Sequence, residues 1–329
     1  MMNEQKPLSI KDLIVEYRTD NGVVHAVNGI SLDLNPGETL GLVGETGAGK
    51  TTIAMSILRI LPTPPAKIVS GEIRFKGQDI VNLSEHEMRN MRGNKISMIF
   101  QDPMTALNPV FTIGQQISEG IILHQKLKRG DAELKAMEML EMVGISRERF
   151  TDYPHQFSGG MKQRVVIAIA LACNPLLLLA DEPTTALDVT IQAQVLDLML
   201  KLKEELNTAM IMISHDLGVV AKSCDKVAII YAGNIFEYGT KYQVYAETAH
   251  PYTQGLFDSL PSINKESNRL KPIPGLMPDP MNLPTGCPFH PRCHKAVPEC
   301  SMHKIESTEI TPGHLVRCIN PINKKGEDA

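Results

Sequence analysis

An α/β fold built on a largely parallel sheet is what this sequence predicts, and three observations carry the prediction. The stretch Gly44-Glu45-Thr46-Gly47-Ala48-Gly49-Lys50-Thr51 fits the pattern G-x-x-x-x-G-K-[ST] at every constrained position. It stands between a short apolar run, Thr39–Val43, and a longer apolar run over residues 52–61 that Pro62 ends, so that strand, glycine-rich loop and helix follow one another as the pattern requires. Downstream, residues 176–180 are all apolar, too few for a helix, and close on two adjacent acids, Asp181 and Glu182, as a strand buried on both faces does.

Each position of the loop has its own task. Gly44, Gly47 and Gly49 let backbone N–H groups curl round phosphates, and the following helix start adds a favourable dipole. Lys50 would reach the β and γ oxygens, and Thr51 would offer its hydroxyl to Mg²⁺. Glu45, Thr46, Ala48 and Thr52 complete the candidate set around a bound triphosphate.

Composition narrows the setting. At 329 residues with 43% apolar content the chain has room for one large α/β domain and a smaller appendage. A net charge of -4 gives no global basic field, which argues against a nucleic-acid partner. The polar first dozen residues do not read as a signal peptide, and the longest apolar runs, 165–173 and 176–180, are separated by Asn174-Pro175 and too short to span a bilayer. A cytosolic chain is the expectation. Six cysteines there argue against a disulfide framework, and four of them, Cys287, Cys293, Cys300 and Cys318, gather in the tail as at a local metal site.

The remaining elements follow in order. Residues 8–17 and 23–34 read as strands across the turn Asp20-Asn21-Gly22, forming an antiparallel edge layer in which Tyr17 either stacks on a base or serves as an amphipathic edge residue. Residues 71–77 read as a strand and turn. Residues 95–100 read as a buried strand that runs into Gln101, a candidate for Mg²⁺ or water at a strand end. From 113 to 143 apolar residues recur at helical spacing, with Leu134, Met137, Leu140 and Val143 on one stripe before Gly144. Ser158-Gly159-Gly160 opens a further helix to about 174, with Ser158 as N-cap and two glycines that admit an anion to its first N–H groups. Alternation turns Asp181 and Glu182 apart, Asp181 toward Mg²⁺ and Glu182 toward an attacking water. An amphipathic helix over 191–206 leads to a strand at 209–213, and His215 follows at the same sheet edge, where a γ-phosphate would lie. Two short strands, 227–231 and 234–238, close the domain.

Taken together, these segments resemble the ATP-binding subunit of ABC transporters over about residues 8–258. The carriers of the resemblance are Gly44 to Thr51, Gln101, Phe157-Ser158-Gly159-Gly160-Met161, residues 177–181 with Glu182, Ala186-Leu187-Asp188, and His215. The resemblance implies a P-loop ABC-type nucleotide-binding domain over residues 1–258. Its parts are a RecA-like mixed sheet core, an antiparallel edge layer and a helical subdomain at about 102–175. It also implies roles: MgATP as cofactor, Tyr17 stacked on the adenine, Lys50, Gln101, Glu182 and His215 as the catalytic set with Glu182 as base, Thr51 and Gln101 on Mg²⁺, and Asp181 beside it. Ser158, Gly159 and Gly160 would cover the nucleotide of a second ATPase subunit, expected to be a paralogue. Phe157 and Met161 depart from the widespread Leu-Ser-Gly-Gly-Gln, and the longer form Phe-Ser-Gly-Gly-Met-Lys-Gln-Arg resembles that of peptide and nickel importers. Import of di- or oligopeptides through two transmembrane permease subunits, fed by a peptide-binding protein, is the implied function, at the cytoplasmic face of the membrane. The alternatives are a nickel or other small-solute importer, or an ABC ATPase outside transport; the latter would carry a long coiled-coil insertion or a basic arm, and the sequence has neither.

The tail, residues 259–329, is rich in proline and cannot form long helices, so a small irregular metal-binding extension is expected. Its cysteines, with 5, 6 and 17 residues between successive members, do not match a C-x₂-C zinc ribbon, and their number suits tetrahedral zinc or a cubane cluster. Reduced, metal-free thiols are the third option; His290 and His294 are substitute ligands under the zinc reading. The region resembles the C-terminal part of peptide permease ATPases, some of which bind 4Fe-4S through four such cysteines, and that favours iron–sulfur over zinc. Cys173 and Cys224 are expected to be structural and without partners.

Overall fold

The computed structural model describes residues 5–185, 187–259 and 272–322, so Ala186 of the Ala186-Leu187-Asp188 loop and part of the tail lie outside the described residues. The chain forms two compact units: one takes in the residues before 9 together with 34–39 and 74–213, the other 9–33, 40–73 and the residues from 214 onward.

In the first unit three parallel strands lie side by side, Ile96–Ile99, Leu177–Asp181 and Ala209–Ile213, with Ile99 opposite Ala180 and Asp181 opposite Ile213. Every residue of the last two is buried, which is why they read as uninterrupted apolar runs. The helical run expected over 113–143 is two helices, Ile113–Gln125 and Arg129–Met142, because Lys126 takes a left-handed φ of 53° and breaks the ladder. Of the expected stripe Leu140 and Val143 are buried, but Leu134 is 60% exposed, and Ala132, Ala136 and Met139 complete the buried face. A periodicity carried by leucine and methionine alone overlooked the two alanines, which let the paired helices approach closely. Gly159–Leu171 and Val189–Glu205 are the other long helices of this unit, capped by Ser158 and Asp188.

The second unit holds a sheet in the order Thr308–Thr311, His314–Val316, Asn234–Thr240, Lys226–Tyr231, Thr39–Val43. The last two run parallel and the others antiparallel. Leu8–Thr19 lies between Gly22–Leu34 and Ala66–Phe75 in a second sheet. The helix after the phosphate loop begins at Lys50 rather than 52 and stops at Leu58 rather than 61; Arg59, left-handed at φ 51°, ends it by donating to the carbonyls of Met55 and Ser56.

The tail contains no long helix among its described residues, only the short turns His290–Arg292 and Pro298–Ser301 and a two-stranded hairpin. That hairpin is joined to the sheet, with Val316 opposite Glu237 and Leu315 opposite Tyr238. The expected boundary at 258 is therefore not a division between the compact units. Glu237 makes the join specific: its carboxylate, fully buried, accepts from the N–H of Ala249 at 2.8 Å, the N–H of His250 at 3.0 Å and Nε2 of His314 at 2.9 Å. No helix among the described residues is long and apolar enough to cross a membrane.

Candidate active site

In the second unit the loop from Gly44 is wrapped so tightly that side chains are excluded. A Cβ on Gly44 would meet the carbonyl oxygen of Ile230 at 2.1 Å, and one on Gly49, which sits at φ 102°, would meet that of Ala26 at 2.4 Å. Glycine at both positions thus lets the loop backbone lie directly against these neighbouring carbonyls. The helix Lys50–Leu58 starts without a side-chain cap and without an acid in its first turn, so its positive end is not cancelled locally. Lys50 is almost fully buried, folded back so that Nζ donates to the carbonyls of Gly44 at 2.7 Å and Glu45 at 3.0 Å. The ammonium is held across the mouth of its own loop. Thr46, Gly47 and Thr51 are exposed there, whereas Ala48 is buried beneath. Tyr17 reaches the same helix, its hydroxyl 3.3 Å from Oγ1 of Thr52.

His215 stands at this end of the unit too. The N–H of Ser214 donates to the carbonyl of Leu42, in the strand that feeds the loop, at 3.3 Å, and His215, exposed, follows it.

In the first unit, the ends of two adjacent parallel strands bring Gln101 and Glu182 together. Glu182 takes a left-handed φ of 46°, and its N–H donates to the carbonyl of Ile213 at 2.9 Å. Oε2 of its carboxylate accepts from Nε2 of Gln101 at 2.8 Å and from Oγ1 of Thr185 at 3.0 Å. Asp181, the last residue of its strand, is buried where Glu182 is partly open; the left-handed backbone of Glu182, rather than strand alternation, sets it apart. Two donors on one oxygen fix the orientation of the carboxylate at the strand end, where a carboxylate can act as a proton acceptor. Sequence reasoning missed Thr185, whose only signal was its place three residues after the acid.

The glycine pair lies at a separate helix start in this unit. Ser158 caps Gly159–Leu171, accepting from the N–H of Met161, and no acid occupies the first turn. Ser158 and Gly159 are exposed, whereas a Cβ on Gly160 would lie 2.6 Å from Cγ2 of Ile191. The two unusual outer residues share one partner: the Arg149 guanidinium lies 4.3 Å from the Phe157 ring centroid, and its Nη1 is 3.6 Å from Sδ of Met161.

The tail cysteines are all free thiols. Cys287 donates its N–H to the carbonyl of Cys300 at 2.7 Å, an approach that Gly286 permits, since a Cβ there would meet that oxygen at 2.2 Å. Burial pushes the Cys287 and Cys318 thiols up to about 11, and neighbouring cysteine charges push the same way. The expected metal site is nevertheless not formed: among the described residues no group of three or more His, Cys, Asp or Glu stands close enough to hold a metal ion. Cys173, expected to be without a partner, donates to the carbonyl of Gly120 at 3.5 Å, while Cys224 is buried against Gly41.

Comparison with known proteins agrees with this geometry. The ABC transporter family matches residues 27–185, and the family described as oligopeptide/dipeptide transporter, C-terminal region, matches residues 236–300. The dipeptide transport ATP-binding protein DppD of Bacillus subtilis is 47% identical over 95% of this chain and 94% of its own length. The oligopeptide transport ATP-binding protein OppD of Escherichia coli is 47% identical over 96% of this chain and 94% of its own. Among solved structures, the dimeric ATP-binding cassette MJ0796 in a post-hydrolysis state with ADP and Pi superposes with a TM-score of 0.64 at 26% identity, covering 71% of this chain and 98% of that one. With near full-length identity at this level, a phosphate loop closed to side chains and a strand-end glutamate fixed by glutamine, the chain belongs to the ABC transporter family, as one of its ATP-binding, ATP-hydrolysing chains.

Proposed function

We propose that this chain hydrolyses MgATP to drive uptake of di- or oligopeptides through two separate transmembrane permease subunits supplied by a peptide-binding protein. It would work at the cytoplasmic face of the membrane, paired with a second ATPase subunit that is a paralogue. The observation that carries the reading is the match of both the cassette and the peptide-transporter tail on one chain, at 47% identity to relatives named for dipeptide and oligopeptide transport.

The residues present fit the cofactor, because Gly44 and Gly49 lie too close to the carbonyls of Ile230 and Ala26 for a side chain, and the helix that follows opens with no acid in its first turn. Lys50 and the first N–H groups of its helix would hold the phosphates, Tyr17 would take the base, and Thr51, Gln101 and Asp181 are the residues that would serve Mg²⁺, whose charge would offset that of the phosphates. Glu182 takes the proton of the attacking water while Gln101 and Thr185 keep its carboxylate in place, and His215 contacts the γ-phosphate. Ser158, Gly159 and Gly160 complete the site of the opposing subunit. Residues 1–258 carry this chemistry, and 259–329 are the extension.

For the four tail thiols we propose a 4Fe-4S cluster, or zinc in its place. Support comes from the gathering of all four in one segment and the influence of three of them on the charge of Cys318. Occupancy requires the thiols to draw together and to lose protons that burial makes them keep. Iron and sulfide in stoichiometric amount with absorbance near 400 nm would support the cluster; zinc alone would replace it.

Reconstitution with the permease subunits in vesicles tests the main reading. MgATP should drive accumulation of a labelled peptide, and Lys50→Ala in this chain should stop it. Undiminished accumulation with that substitution, or an ATPase rate indifferent to the peptide-loaded binding protein, overturns the proposal.

A further inference from the structure

Residue 45 of the phosphate loop is gripped from both sides by residues far along the chain. Its N–H donates to the Tyr252 hydroxyl at 3.1 Å, and its two carboxylate oxygens accept from Nη1 of Arg292 at 3.0 and 3.1 Å. Arg292 is itself fixed: its side chain is 7% exposed, Nε donates to the carbonyl of Pro274 at 2.9 Å, and Nη1 also donates to the Tyr231 hydroxyl at 3.2 Å. The guanidinium lies 5.8 Å from the Tyr231 ring centroid and 5.9 Å from that of Phe289. Those rings belong to one cluster with Tyr252, at centroid separations of 4.6 to 5.3 Å. The cation is thus set in an aromatic frame, and the loop residue is fastened to it.

The charge has a reason to be there. A loop that holds a triphosphate carries a carboxylate at its second position, on the residue whose carbonyl accepts from the Lys50 ammonium at 3.0 Å. Left unpaired, that carboxylate repels phosphate and competes for Lys50, and such opposition is strong where water is scarce. Arg292, planar and always charged, cancels it and holds it to one side.

We infer that Arg292 is a positioning residue for the nucleotide, acting through Glu45, so that the cysteine-bearing segment sets the affinity of the phosphate loop. This rests on the reading of Gly44 to Thr51 as the MgATP site. The sign is specific: the damage from losing Arg292 is the exposed Glu45 charge, and removing that charge should repair it.

Titration of the full-length chain with MgATP, by calorimetry at low and high salt, tests this, with melting temperature recorded for every variant. R292A should raise Kd about fivefold, the scale of one partly screened charge pair, and the defect should shrink at high salt. R292A/E45Q should return to within about twofold of the parent, and R292K should keep most of the affinity. An unchanged Kd in R292A, or a folded R292A that E45Q does not repair, overturns the inference. Should R292A unfold the chain, E45Q alone decides: binding no weaker than the parent is expected, and a tenfold loss overturns it. A parent chain that binds no MgATP removes the site reading and the inference together; a parent that binds and a K50A chain that does not leave R292A as a test of the inference alone.

Discussion

Glu182 sits in a backbone region that a residue with a Cβ adopts at a cost of about 1–3 kcal/mol. Hydrogen bonds that help to offset the strain run from its own N–H to Ile213 and into a carboxylate oxygen from Gln101 and Thr185. Such a residue is aimed, and its replacement by the isosteric amide removes only the base. For Glu182→Gln we expect MgATP binding within about twofold of the parent and turnover lower by roughly 10²-fold or more, the usual contribution of a general base. Single-turnover hydrolysis beside a binding titration checks it, and full activity in the variant removes Glu182 from the role. At this scale the sequence was legible wherever a motif fixes residue type by distance along the chain: Lys50 could be named from its place in the glycine-rich loop, and Gln101, Asp181 and Glu182 from their places at strand ends. Thr185 and Arg292 could not, since a threonine in a loop has no signature and the Arg292 to Glu45 pair joins residues 247 apart.

Among the elements, the helix Pro251–Asp258 carries a pH dependence. Its cap is His250, 1% exposed, whose Nδ1 accepts from the N–H of Tyr252 at 3.0 Å, and burial holds the ring down to about 3. The folded chain therefore keeps His250 neutral while the unfolded chain protonates it near the ordinary value of 6.5. As pH falls through the window from about 6.5 to 3, the unfolded state binds a proton that the folded state refuses, and stability drops by about 1.4 kcal/mol per pH unit from this group. Thermal melts at pH 7 and pH 4.5 should show the fall, and His250→Asn, which retains a capping oxygen, should flatten it; an equal acid slope in that variant assigns the loss elsewhere. Strands buried on both faces were easy to read because every position must be apolar. The tail hairpin was not, because Thr308–Thr311 exposes most of its residues and shows no apolar alternation. The break at Lys126 was hidden for a similar reason: a lysine in a left-handed turn lacks the glycine that usually announces one.

On the scale of the whole molecule, the glycine pair after Ser158 opens a helix whose first turn holds no acid, and its proposed nucleotide belongs to another subunit. The isolated chain should then bind MgATP yet hydrolyse it slowly, with the rate per chain rising steeply as the partner ATPase is titrated in. A strong rate in dilute monomer, independent of concentration, contradicts that arrangement. Overall architecture was legible as far as the cassette reaches, since its motifs mark consecutive sheet ends; the union of tail and sheet was not, because strand order across a long separation leaves no local trace. That union has a consequence for how the protein comes off the ribosome. Until residues 314–316 have been synthesised, Asn234–Thr240 presents an open edge and Glu237 lacks the hydrogen bond from His314. A nascent chain halted within the proline-rich stretch therefore displays an adhesive strand, and chaperone capture or aggregation should concentrate in that interval rather than during synthesis of the cassette.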